Sequence, residues 1–139
     1  MKDEARVSVA AATSSLVTFV VLDAAWIYIV AIGLFQTHLG QVLRVQPLVV
    51  PIIAFYLVYM VGLHVLAVRP ALAAQSWVKA AWLGAVLGFV AYATFDLTNL
   101  AVIEGWTVDV AAADIAWGTV VSAIAAVAGF AAGRRMQPY

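Results

Sequence analysis

Four long apolar runs dominate the chain, and each is punctuated by a few polar positions in register. They extend from about Ser14 to Phe35, Leu48 to Val68, Ala80 to Ile103 and Val110 to Ala132. Each reaches about twenty residues, the length a helix needs to cross a bilayer. The pattern predicts one all-α domain over residues 1–139, with four transmembrane helices. Gln36–Gln46 reads as a polar connection carrying His38 and Arg44, and Arg69-Pro70 as the stop of the second run. Pro47 and Pro51 mark its entry, where the first turn of a helix tolerates proline. Gln75–Lys79 reads as a loop, and Glu104-Gly105-Trp106 as a tight turn. Four spans on short connections alternate in direction, so the expected fold is an up-down-up-down bundle.

The polar positions inside these runs repeat at helical spacing. Tyr92, Asp96 and Asn99 stand at i, i+4 and i+7 on the third span, with Thr98 beside them. An aspartate at the centre of a membrane helix costs roughly 2.5–3.5 kcal/mol on insertion scales, so its carboxyl is expected to face protein or water. Asp23 and Trp26 share a face of the first span with Phe19 and Val30, and the second span brings Tyr56, Tyr59 and His64. The fourth carries Asp114, Gly118, Ser122, Ala125 and Gly129 along one stripe of mostly small residues, and Gly84 and Gly88 form a similar pair in the third. Such stripes let helices approach closely. Counted from the outer helix ends at 1.5 Å per residue, Asp114, Asp96 and Asp23 descend to roughly 8, 12 and 18 Å. The segments Asp23-Ala-Ala-Trp26 and Asp114-Ile-Ala-Trp117 share the pattern Asp-x-x-Trp, a faint internal echo between antiparallel spans.

Composition agrees with a membrane protein: 66% of residues are hydrophobic and 10% charged, far from the usual balance of a soluble domain. The zero net charge points to no nucleic-acid partner. With no cysteine, disulfides, thiolate catalysis and Cys-ligated metals are excluded. The two histidines stand apart from any acid or histidine at i+3 or i+4, so no metal motif is read, and no nucleophile elbow, phosphate loop or dinucleotide fingerprint is present. The first apolar run is too long for the core of a cleaved signal and is expected to stay as an anchor. Lys2, Arg6, Arg69, Lys79, Arg134 and Arg135 fall on the side of both termini, with Arg44 opposite. The positive-inside rule then predicts both termini in the cytoplasm of a bacterial inner membrane.

Leu22-Asp23-Ala24-Ala25-Trp26, Arg69-Pro70-Ala71, Tyr92 to Leu100, Gly105-Trp106 and Asp114 to Gly118 carry a resemblance. Over roughly Ser14 to Ala132 the chain resembles the bacterial integral-membrane family of unknown function numbered, in words, twenty-one seventy-seven. The resemblance implies a small four-span membrane protein and assigns it no activity or cofactor.

Candidate ligand-binding or proton-carrying residues are Asp96, Asp23, Asp114, Asn99, Tyr92, Thr98, Tyr56, Tyr59, Trp26 and Trp117. The alternative for Asp96 is a structural knot, a neutral carboxyl bonded to Tyr56 or Tyr59. Asp114 can equally favour the N-terminal end of its helix, and Asp109 reads as a helix cap. Trp77, Trp106 and Tyr28 fit the interfacial aromatic belt, His38 a solvated loop, and Ser15 and Ser122 helix packing. Trp26 and Trp117 have faces that could wall a cation site. The leading function is binding or transport of a small cationic or protonatable ligand at an acidic seam open to the outer face, with no catalytic residue assigned. The alternatives are an accessory or assembly subunit without chemistry, and a lipid-modifying enzyme. Beyond the lipid bilayer, the partner expected is a second copy or a larger membrane assembly, because four short spans enclose little volume.

Overall fold

The computed structural model describes residues 2–40 and 44–137, so part of the expected polar connection lies outside the described residues. The described chain is helical apart from its connections. Its four long helices are α1 (Asp3–Leu39), α2 (Val49–Ala73), α3 (Trp77–Val102) and α4 (Val108–Met136), each long and apolar enough to cross a membrane. Most of the large apolar side chains on their outer faces are exposed, as a lipid solvent requires.

All four helices outrun the apolar runs that announce them. α1 begins a dozen residues early because Asp3 and Glu4 complement the positive end of its dipole and no breaker follows. It also continues through Gln36–Leu39, so His38 lies in a helix, half-buried, with Nδ1 2.9 Å from the Leu34 carbonyl. Arg69-Pro70 does not stop α2, which runs on to Ala73. The turn before the proline, His64–Val68, is a π-helix, and Arg69 donates its backbone N–H to the His64 carbonyl. That wider turn spares Pro70 the i−4 clash that would break an α-helix. Trp77 and Lys79 open α3 rather than forming a loop, since the Ser76 hydroxyl caps it by accepting from the Lys79 N–H at 3.2 Å. Thr107, not Asp109, caps α4, accepting from Val110 at 3.4 Å.

A second π turn, Ile27–Ala31, lies inside α1. The buried positions of this helix step by four, from Ala11 through Ser15 and Phe19 to Asp23, and resume at Ala31 and Leu39. Each step of four runs about 40° ahead of a 3.6-residue helix. The extra residue in the π turn takes back most of that drift and keeps one face on the protein.

Packing centres on α4, which lies along both α3 and α1. A Cβ at Gly84 would strike Ala126 and the Ser122 carbonyl, and one at Gly88 would strike the Gly118 carbonyl and Ser122. A Cβ at Gly129 would strike Ser15. The small stripes therefore place backbones in contact. Ser15 adds a hydrogen bond to the Ala125 carbonyl at 3.0 Å, and Ser14 one to the Ala128 carbonyl at 3.1 Å. α3 and α4 are joined by a turn in which Gly105 takes φ +90° and lies against the end of α1 at His38. A positive φ of that kind suits glycine, which has no Cβ to clash.

Candidate functional site

Asp23 ties three helices together. It is 7% exposed. Its Oδ2 accepts from the Tyr56 hydroxyl of α2 at 2.8 Å, and its Oδ1 from the Trp117 Nε1 of α4 at 3.2 Å. The tyrosine knot that stands as the alternative reading of Asp96 is thus built on Asp23 instead, through Tyr56 alone. Trp26, one turn along α1, stacks on Trp117 with centroids 4.8 Å apart and planes within 6°. The two Asp-x-x-Trp segments therefore meet, though through one aspartate only.

Tyr59 takes a different partner, the Ser122 hydroxyl of α4 at 2.6 Å. Ser122 in turn lies 2.6 Å from the Gly118 carbonyl and donates its one proton there, so Tyr59 is the donor in their bond. Phe19 braces both tyrosines, 6.1 Å from Tyr56 and 5.2 Å from Tyr59. Tyr92 lays its ring over Gly118, where a Cβ would overlap it, and meets Tyr59 edge-on at 6.2 Å. Glycine at position 118 is what admits this ring between α3 and α4.

Asp96 is wholly buried, and neither carboxyl oxygen has a hydrogen-bond partner among the described residues. Trp106 and Asp114 are the polar side chains that interact with it, outside the geometry of a formed hydrogen bond. Trp106 is not an exposed belt residue: its Nε1 is buried and also unpartnered, and its ring meets Phe35 at 5.8 Å and Phe95 at 5.6 Å. Trp77 and Tyr28, by contrast, are 60% and 82% exposed, as belt residues are. Asn99 is half-buried on the Asp96 face, and its carbonyl accepts from Ile103 at 2.8 Å to end α3. Thr98 lies on the outside and bonds its own helix at the Thr94 carbonyl, 2.6 Å away.

Between these groups lies a cavity of about 560 Å³. Asp23 and Asp114 supply its carboxyls, and Trp26, Tyr59 and Tyr92 its polar-tipped aromatic wall. Phe35, Phe55 and Phe95 complete the lining. These phenylalanines, and Ser122 as the anchor of Tyr59, escape a reading that looks only for ionisable groups. Phe35 and Phe95 stand toward the same helix ends as the acids, which is the one signal that marks them. The arrangement offers acceptor oxygens and ring faces in a low-dielectric chamber. Together they suit a compact cation or a protonated amine.

Apolar helices long enough to cross a bilayer, with carboxyls buried among them, define an α-helical membrane protein with four candidate spans. The chain belongs to the family described as Predicted membrane protein (DUF2177), whose model matches residues 8–131. This is the family its motifs resemble. No curated protein and no solved structure matches the chain.

Proposed function

We propose that the protein binds, and as an assembly of copies transports, a small cationic or protonatable ligand at the Asp23–Asp114 cavity. One observation carries this reading: two carboxyls from neighbouring helices share one aromatic-walled chamber of ligand size. Asp23 is already held by Tyr56 and Trp117 and serves as a fixed acceptor. Asp114, half-buried at the mouth, meets the ligand, while the unpartnered Asp96 behind it holds or releases a proton as the ligand comes and goes. Intramembrane carboxyls in such settings mark ion and substrate paths. Asn99 and Thr98 flank this group without lining the cavity. The helices run up-down-up-down with both termini in the cytoplasm of a bacterial inner membrane, a reading supported by six basic residues on the terminal side against Arg44 opposite. The chamber then opens toward the outer face.

Tryptophan fluorescence tests this, since Trp26 lines the cavity and Trp117 stacks on it. Tetramethylammonium titrated into the detergent-solubilised protein should quench saturably. Asp23→Asn with Asp114→Asn should abolish the saturable phase, and Arg44→Gln should leave it unchanged. Equal quenching of the wild type and the double variant would reject the cavity as the site.

A further inference from the structure

A second cavity, of about 1560 Å³, lies at the other end of the molecule, among the first turns of α1, the end of α2 and the last turns of α4. It is lined from α2 by His64 and Arg69, and from α4 by Arg134 and Arg135. The π turn His64–Val68 is what brings the α2 pair together. In a regular α-helix, residues five apart point about 140° away from one another. The π turn closes its hydrogen bond between these two residues and stacks them on one face. The His64 Nδ1 is buried and without a hydrogen-bond partner among the described residues, so polar contact of the ring with a ligand falls to Nε2. Arg134 lies with its guanidinium carbon 5.9 Å from the centre of the Phe130 ring, which positions the head group while leaving its N–H edges free to donate.

Asp3 and Glu4 also border the cavity, but they stand in the first turn of α1, where carboxylates answer the helix dipole. Three guanidinium groups exceed two carboxylates, so the cavity is a place for an anion. Val7, Val65, Leu72 and Phe130 add apolar lining beside the charged groups. Polar cations above an apolar cleft between helix ends, at the level where headgroups lie, match a phospholipid rather than a soluble metabolite.

We infer that this cavity holds the phosphate of a membrane phospholipid between Arg69, Arg134 and Arg135, with His64 as a further donor and an acyl chain along the α1–α2 cleft. The site is separate from the Asp23–Asp114 chamber and stands or falls without it. A headgroup amine, as in phosphatidylethanolamine, would find Asp3 on the rim.

Native mass spectrometry of the full chain in mild detergent decides the matter, with phosphatidylglycerol as the probe. One lipid per chain should be retained, while diacylglycerol, which lacks the phosphate, should not. Arg69→Gln with Arg134→Gln should weaken retention about thirtyfold, from the usual value of one arginine near a charged lipid. Arg69→Lys with Arg134→Lys should recover most of it. Asp114→Asn should leave lipid binding unchanged. Equal retention of diacylglycerol, or undiminished binding by a folded Gln pair, would overturn the inference. Displacement of the lipid by millimolar inorganic phosphate would overturn the lipid source and leave a soluble phosphate site. If the Gln pair fails to fold, the comparison of phosphatidylglycerol with diacylglycerol in the wild type still decides.

Discussion

The rings of Trp26 and Trp117 lie stacked 4.8 Å apart, and the nitrogen of one of them binds the carboxyl that sits a turn before the other. This joins the first and last helices through a single polar cluster. The stack alone is an aromatic contact, and the bond to Asp23 fixes its register. Removing the bond while keeping a ring separates the two contributions.

Trp117→Phe should therefore lower stability by about 0.6–1.7 kcal/mol, the range of hydrogen bonds measured between membrane helices. Unfolding in mixed micelles at increasing SDS gives the number. Tyr56→Phe should cost a similar amount in the wild type and little in an Asp23→Leu background, because both changes remove the same bond. Additive losses would mean that Tyr56 and Asp23 act separately.

Glycine at the α3–α4 seam should be irreplaceable by the next smallest residue. Gly88→Ala and Gly118→Ala push a methyl into backbone or into the Tyr92 ring and should cost about 1–3 kcal/mol each. Gly33→Ala and Gly62→Ala have nothing within 4 Å of the new methyl and should cost nothing. Thermal unfolding of the four variants side by side reads the contrast.

Asp96 invites the opposite outcome. A carboxyl with no partner in a wholly buried place is a net cost to the fold, since a buried unsatisfied polar group costs about 1–3 kcal/mol. Asp96→Leu should make the protein more resistant to SDS while weakening the coupling of ligand binding to pH. A loss of stability instead would show that the carboxyl has structural partners after all.

The π turn of α1 can be tested by geometry. Deleting Ile29, an exposed residue within it, should restore an α-helical turn and leave Ile32–Leu39 on the face it now presents, because the π turn holds one residue more than an α turn covering almost the same rotation. The chain lacks cysteine, so Phe35→Cys with Trp106→Cys provides a clean pair for a short thiol-to-thiol crosslinker between positions whose rings now meet at 5.8 Å. Crosslinking should survive the deletion, whereas an alanine inserted after Gly33, in the α-helical part, should rotate Phe35 by about 100° and abolish it.

Hydrophobic length and polar spacing make the four helices, the small-residue stripes and the inward face of Asp23, Asp96 and Asp114 legible in the sequence. Helix ends are less so, because Ser76 and Thr107 act through a capping hydroxyl that looks like any loop residue. The partner of each polar group is not legible at all. Tyr56 and Tyr59 stand three apart, yet one finds Asp23 and the other Ser122, and only the rotation of α2 against α1 and α4 decides between them. The π turns leave no trace in composition. They become visible as a slip in the phase of the buried positions, once those positions are known.

Because α4 is the helix against which α1 and α3 pack, the order of synthesis matters. A chain made from its N-terminus places α1 and α2 in the bilayer while α4 is still on the ribosome. At that stage Asp23 has the Tyr56 hydroxyl but not the indole of Trp117, and Tyr59 has no Ser122 to bind. The newborn protein is thus an open clasp, polar on its inner side, that α4 snaps shut when it arrives.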